Sequence, residues 1–161
     1  IEEATPDLYW TQNTDVTDFI EHISEYISEA IKSSTEGSNY ERGLNFIKEM
    51  KELNEKTFIS LTPFGVILRR TNGEICNHLY SDPDGVPSIS VVSYDEQNCS
   101  ITFSLKEEVK GFSCKKIAQD LWGESRGLSS LSTSPKGRMM TEDDFQTSVD
   151  YFYKELIRAL Y

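Results

Sequence analysis

The segment at residues 122–130 has the composition expected of a loop that binds an anion. It reads WGESRGLSS, with two glycines, three serines and one arginine. Glycines let the backbone approach a ligand closely, and successive N–H groups in such a loop can form a concave nest for an anion. Arg126 would then clamp a phosphate or a carboxylate. The alternative interpretation of the same residues is an ordinary surface loop.

The charge distribution points to the same part of the chain. The whole chain has a formal net charge of −11, which disfavours non-specific binding to nucleic acids and anionic membranes. Residues 99–140 nevertheless contain seven Lys and Arg against four Asp and Glu, a local charge of +3. This basic third is either the place for an anionic ligand or a solvated surface of mixed charge. The predicted ligand-binding residues are Gly123, Ser125, Arg126, Gly127, Ser129, Lys136 and Arg138.

The cysteines and histidines do not form a metal-binding pattern. Cys76, Cys99 and Cys114 are widely spaced without a CxxC pair, and His22 and His78 lie far from any cysteine pair. Neither a metal nor a cofactor is therefore predicted. An odd number of cysteines suits a reducing compartment, and the sequence shows neither a signal peptide nor a membrane-spanning apolar run. We expect a cytoplasmic or nuclear protein that does not bind membranes.

Cys114 supports an alternative prediction, in which the chain is an enzyme with a cysteine nucleophile. It stands at the start of a predicted helix beside Lys115 and Lys116, which could lower the pKa of its thiol. A small cysteine-dependent enzyme would follow, although nothing in the sequence links Cys114 to a histidine. A half-buried structural cysteine is the favoured interpretation, and we predict no catalytic residue in this chain.

Helical periodicity marks the N-terminal third. Apolar residues at i, i+3, i+4 and i+7 spacing predict a helix over residues 14–34, with Thr14 as its N-cap. A turn rich in Ser, Gly and Asn at residues 33–39 leads to a second predicted helix over residues 40–55. The short connection favours an antiparallel helical hairpin, which we assign to residues 1–57 of a single domain.

The middle of the chain changes to strand periodicity. The predicted strands are Phe58–Leu61, Gly65–Arg70, Glu74–Tyr80, Pro87–Tyr94 and Cys99–Leu105. Asn72-Gly73 separates the second strand from the third, which predicts a tight hairpin, and residues 95–98 predict another hairpin between the last two strands. These features indicate a central, mostly antiparallel sheet of four to five strands.

The last third returns to helix. Ser113 is expected to cap a short helix that ends at Trp122, and a Gly/Ser loop follows over residues 123–137. Thr141 and the acidic residues after it open a long C-terminal helix. The sequence therefore predicts an α+β fold, with the sheet and the last helices in residues 58–161.

Several consecutive pieces resemble the C-terminal accessory domain of the DHH phosphoesterase superfamily. The strand Ile101–Lys106 resembles the family's strand, and the helix Cys114–Leu121 resembles the family's helix, which has an Ile-Ala pair at the place of Ile117-Ala118. Gly123–Gly127 and Leu128–Ser130 then stand where the family has a glycine-rich GGGH-type loop and small residues. The glycine run is reduced to Gly123, and the family's histidine is missing. The resemblance covers about half of the chain.

The resemblance implies a role in holding a substrate. The family's accessory loop grips the substrate's phosphate or terminal nucleotide, while an Asp-His-His metal domain, absent from this sequence, does the chemistry. We therefore expect a non-catalytic interaction or accessory domain, or alternatively an active substrate-binding domain of a nucleic-acid or nucleotide phosphoesterase. The expected partners are another protein or an upstream catalytic domain, with a nucleotide or single-stranded nucleic acid as ligand.

Overall fold

A computed structural model describes residues 16–32 and 38–161, which form four helices and one six-stranded sheet. The predicted α+β class is confirmed. In chain order the elements are α1 (Val16–Lys32), α2 (Ser38–Thr57), β1 (Phe58–Leu61), β2 (Val66–Thr71), β3 (Ser90–Asp95), β4 (Ser100–Leu105), α3 (Cys114–Trp122), β5 (Arg126–Gly127), β6 (Leu131–Thr133) and α4 (Glu142–Leu160). Within these residues no helix is both long and apolar enough to cross a bilayer.

The chain divides into two compact units, Ile1–Met50 and Lys51–Tyr161. The division falls inside α2, and the assignment of residues 1–161 to a single domain stays a prediction. In the first unit the predicted helix is confirmed over the described residues of α1. Thr14, the predicted N-cap, lies outside the described residues, as does most of the predicted turn. The antiparallel packing of the two helices also stays a prediction.

The inner face predicted for α2 is only partly buried. Leu44, Phe46 and Ile47, which we expect to face inward from their spacing, are exposed. Among residues 39–57 of α2, full burial is confined to Thr57 at the C-terminal end, where the chain enters β1. The prediction is wrong for these three residues because amphipathic spacing shows which residues share a face but cannot show that another element covers that face.

The sheet has the strand order β1-β2-β3-β4-β6-β5. All neighbouring strands are antiparallel except β2 and β3, which are parallel. The predicted hairpin between β3 and β4 is confirmed. The predicted loop over residues 123–137 contains two further short strands, β5 and β6, so the sheet has six strands rather than four to five. These two strands extend the sheet beyond β4 and carry Arg126 at its edge.

The hairpin predicted at Asn72-Gly73 is wrong. The chain does turn there, with Gly73 at φ +94° and its N–H donating to Asp95 Oδ1 at 2.9 Å. Residues 74–80 then form no strand, and β2 pairs with β1 and β3 instead. Both edges of β2 are occupied by β1 and β3, so no edge remains for a third strand. Residues 72–89, which we call the crossing segment, are held instead by Arg69, a fully buried residue of β2 whose guanidinium donates to the carbonyls of Leu79 and Ser81.

The main core lies between α3, α4 and one face of the sheet. Phe103 of β4 stacks on Phe152 of α4 and on Trp122 of α3, with ring centroids 5.1 and 5.4 Å apart. Local caps hold both helices in place, as predicted. The Oγ of Ser113 accepts from Lys116 N–H at 3.3 Å, and the Thr141 side chain forms a capping box with the third residue of α4.

Candidate anion-binding site

A shallow cavity of about 370 Å³ lies where the β3–β4 turn, β5 and the segment after β6 meet. We call it the basic cavity. Three of the predicted ligand-binding residues, Arg126, Lys136 and Arg138, share its wall. The remaining wall residues are Asn98, Ser100, Pro135, Gly137 and Met139. The pairing of β6 with β4 creates the cavity, because it brings residues 135–139 beside the start of β4.

Arg126 is held in place by the β5–β6 hairpin. It lies directly opposite Thr133 in the pairing of the two strands. Its Nε–H donates to the carbonyl oxygen of Ser134 at 2.9 Å, and its own carbonyl accepts from the hydroxyl of Ser132 at 3.0 Å. The first bond holds the Nε edge of the guanidinium and the second holds the backbone of Arg126, so the two Nη groups are left to reach a ligand in the cavity.

Lys136 and Arg138 come from a tight turn after β6. Gly137 between them has φ +82°, a conformation that L side chains rarely adopt. The N–H of Arg138 donates to the carbonyl of Pro135 at 3.3 Å and closes the turn. The two cationic side chains are exposed, and the only bond of the Arg138 guanidinium among the described residues is a long one of 3.5 Å to the carbonyl of Trp122.

Within the part of the chain that the structure describes, no carboxylate neutralises the positive charge of the cavity. In residues 16–32 and 38–161, no carboxylate oxygen lies within 4.0 Å of the cationic nitrogens of Arg126, Lys136 or Arg138. The cavity wall itself contains no Asp or Glu. Three unpaired cations that face one concavity create a local positive potential on a protein whose net charge is −11. This arrangement suits an anionic ligand.

The backbone of the Gly/Ser segment is largely engaged within the protein. Gly123 forms the C-cap of α3 at φ +80°, and its N–H donates to Gln119 at 2.8 Å. The N–H of Leu128 donates to Leu131 at 2.6 Å. These two N–H groups are therefore not free to form a nest for an anion. Side chains, rather than the backbone, supply the charge of the site.

The other predicted residues do not line the basic cavity. Ser125 places its Oγ in the interior without a hydrogen-bond partner among the described atoms. Gly127 lies against β6, where an added Cβ would come within 2.2 Å of the Leu131 carbonyl oxygen. Ser129 lines a different cavity of about 420 Å³, and its carbonyl accepts from the N–H of Cys114 at 2.8 Å.

Sequence reasoning missed the two wall residues of the basic cavity that carry an uncharged polar side chain, Asn98 and Ser100. Asn98 and Ser100 flank Cys99 at the β3–β4 turn, and Cys99 itself has a positive φ of 46°. The sequence predicts the turn, but it gives no sign of a neighbour almost 40 residues further along the chain. Only the β4–β6 pairing places the turn against Lys136 and Arg138.

The cysteines give no support to nucleophilic chemistry. Cys114 is fully buried, and burial raises the pKa of its thiol to about 12. The expectation that Lys115 and Lys116 lower this pKa is therefore wrong, because both lysines are exposed while the sulfur points into the core. Burial also raises the pKa of Cys76, to about 11. Across the described parts of the chain, no group of three His, Cys, Asp or Glu side chains could hold a metal ion.

We expect Cys114 to resist alkylation in the native protein. A raised pKa means that the thiolate, which is the reactive form, becomes populated only as the pH rises toward about 12. At pH 8, iodoacetamide should label the half-buried Cys99 first and label Cys114 only after urea unfolding, as read by mass spectrometry of tryptic peptides. Equal native labelling of Cys99 and Cys114 would instead favour the cysteine-dependent enzyme.

Comparison with family models, with characterised proteins and with solved structures finds no match to this chain.

Proposed function

We propose that this chain is a non-catalytic accessory domain that binds the phosphate group of a nucleotide or of a single-stranded nucleic acid in the basic cavity. The observation that carries the proposal is the convergence of Arg126, Lys136 and Arg138 on one concave surface, without an ion pair to any carboxylate of the described residues. Cations grouped in this way repel one another weakly in water, and an anion bound between them would turn that repulsion into attraction.

The chemistry of the wall favours phosphate over a carboxylate. A phosphate group offers three acceptor oxygens and up to two negative charges, which can engage two guanidinium groups and one ammonium together. Arginine forks match phosphate geometry with paired N–H donors, and lysine adds a point charge. The amide of Asn98 and the hydroxyl of Ser100 supply neutral donors at the same wall.

The cavity binds without providing a reaction centre. Its wall contains no carboxylate, histidine or cysteine that could act as a general base or metal ligand. Chemistry on the bound ligand would therefore need groups from another protein or from an upstream catalytic domain. Binding in one domain and catalysis in another is also what the resemblance to the DHH accessory domain implies. Arg126 lies in the segment that resembles the family's phosphate-binding loop.

The test is a calorimetric titration with pyrophosphate and with a 5′-phosphorylated dinucleotide at low salt. Arg126→Ala, and separately the double variant Lys136→Ala/Arg138→Ala, should each weaken binding at least about tenfold through loss of charge-assisted hydrogen bonds. Lys115→Ala is the matched control: it removes an exposed cation of the same basic stretch that lies on α3, away from the cavity wall, and should change affinity less than about twofold.

Two outcomes oppose the proposal. If the wild type binds neither probe at low salt, the chain acts without an anionic ligand, and a purely protein-binding role becomes the better interpretation. If Lys115→Ala weakens binding as much as Arg126→Ala does, the affinity reflects diffuse surface charge rather than the basic cavity.

A further inference from the structure

A pair of threonine hydroxyls adjoins the basic cavity. Thr102 of β4 lies opposite Thr133 of β6, and Thr133 lies opposite Arg126 of β5. Directly opposed residues in antiparallel strands point to the same face of the sheet, so these three side chains form one row. The Oγ1 atoms of the two threonines are 3.2 Å apart and share a hydrogen bond.

The row lies on the face of the sheet opposite α3 and α4. Phe103, the neighbour of Thr102 in β4, points into the helix-covered core, and alternation along a strand turns Thr102 the other way. On this second face the crossing segment covers the middle of the sheet, where the Oγ of Ser104 donates to the Asn77 carbonyl at 2.7 Å. Ser104 is buried, whereas Thr102 and Thr133 are partly exposed. The cover therefore ends before the threonine pair.

The pair is close enough to the cavity to share a ligand with it. Opposed Cβ atoms in antiparallel strands are about 5 Å apart, which places Thr133 one step and Thr102 two steps from Arg126. Ser100, a wall residue of the cavity, precedes Thr102 by two residues on the same face of β4, about 7 Å along the strand. A phosphate held by the cations would leave its attached group over this row.

The hydroxyl pair can recognise two neighbouring hydroxyls on a ligand. Each threonine has one donor and two acceptor positions, and the shared hydrogen bond uses one donor and one acceptor position of the pair. One O–H and several lone pairs therefore remain, on two oxygens that stand side by side. Two adjacent ligand hydroxyls, a vicinal diol, offer a matching set of donors and acceptors with no charge to desolvate.

We propose that the ligand's phosphate is attached to ribose, and that Thr102 and Thr133 read the 2′,3′-diol of the sugar while the basic cavity holds the phosphate. The inference rests on the proposed function. It predicts that a ribose phosphate binds more tightly than the corresponding 2-deoxyribose phosphate, which lacks the diol but carries the same phosphate.

The test compares ribose 5-phosphate, 2-deoxyribose 5-phosphate and inorganic phosphate by calorimetric titration of the full chain. The wild type should bind ribose 5-phosphate about threefold to tenfold more tightly than its deoxy analogue, the range expected from one or two neutral hydrogen bonds. Thr102→Val/Thr133→Val replaces each hydroxyl with a methyl group and should abolish this preference, while the affinity for inorganic phosphate, which the three cations bind, should stay within about twofold. Thr147→Val, on the exposed side of α4, is the control and should retain the preference.

The outcomes separate the two proposals. If inorganic phosphate does not bind at all, the proposed function fails, and this inference fails with it. If phosphate binds and Arg126→Ala weakens it, but ribose and deoxyribose phosphates bind equally to the wild type, only the inference about the sugar is overturned. Thr102→Ser/Thr133→Ser, which has both hydroxyls, should retain the preference for ribose 5-phosphate. If the double valine variant also retains this preference, the two hydroxyls do not contact the sugar and only stabilise the β4–β6 pairing.

Discussion

Replacement of Arg69 by alanine is expected to lower the free energy of unfolding by at least about 3 kcal/mol, because four acceptors, one of them buried and three partly buried, lose a charged donor. Nη1 of this fully buried side chain donates to the Asn54 carbonyl at 3.2 Å and to the Thr57 hydroxyl at 3.1 Å. Nη2 donates to the carbonyls of Leu79 and Ser81 at 2.9 and 2.8 Å. One guanidinium thus ties β2 to the end of α2 and to the segment that crosses to β3.

The burial of Arg69 is compensated by dipoles rather than by a counter-ion. Among the described residues no carboxylate lies within 4.0 Å of the guanidinium, and desolvation lowers its pKa. Asn54 is one of the last four residues of α2, where carbonyls have no partner within the helix and the helix dipole is negative. The arginine satisfies these groups with a planar fork that lysine could not reproduce.

Urea unfolding of Arg69→Ala and Arg70→Ala, with the slope of the transition checked for constancy, measures the difference. Arg70 is the matched control, because it is the next residue in β2 but pairs at the surface with Glu96 at 2.9 Å and Glu142 at 2.5 Å. Exposed pairs of this kind contribute less than about 1 kcal/mol each. Similar losses for the two variants would contradict a structural role for the buried arginine.

Replacement of Gly127 by alanine is expected to weaken phosphate binding at least about tenfold and to lower the free energy of unfolding by about 1–3 kcal/mol. Gly127 has φ +126°, and an added Cβ would lie 2.2 Å from the Leu131 carbonyl oxygen and 2.9 Å from the Ser132 Cα. Both are backbone atoms of β6, so the β5–β6 hairpin must shift. Arg126, the adjacent residue, would then leave its place in the basic cavity.

Gly111→Ala separates this displacement from simple backbone strain. Gly111 also has a positive φ, +80°, but no heavy atom lies within 4 Å of the position that an added Cβ would take there. Its alanine variant should show a similar cost of strain and unchanged phosphate affinity, by the same urea and calorimetric measurements. A Gly127→Ala protein that binds phosphate as the wild type does would show that the hairpin does not position Arg126.

Local sequence patterns are sufficient to predict several structural features of this chain. The caps at Ser113 and Thr141 and the hairpin between β3 and β4 are predicted from the sequence and confirmed. Each depends on contacts between residues a few positions apart, such as a side-chain oxygen and the N–H three residues later. A feature whose contacts all lie within a few residues of sequence can be predicted without knowledge of the rest of the fold.

The prediction fails where distant groups compete for the same segment. Asn72-Gly73 has the turn that its sequence indicates, yet residues 74–80 do not return along β2 as a strand. The carbonyls of Leu79 and Ser81 instead accept hydrogen bonds from Arg69. Both edges of β2 pair with other strands, and the buried guanidinium takes acceptors from this segment; neither feature can be recognised from a local pattern.

The prediction of Arg126, Lys136 and Arg138 as anion-binding residues rests on residue type and local charge alone. All three line one cavity, whereas Ser129 lines another. This arrangement depends on the pairing of β6 with both β4 and β5. Side-chain chemistry and short-range periodicity can be read along the chain, because they are properties of neighbouring residues. Which surfaces meet depends on burying a common core between elements far apart in sequence, and that is settled only when the whole sheet assembles.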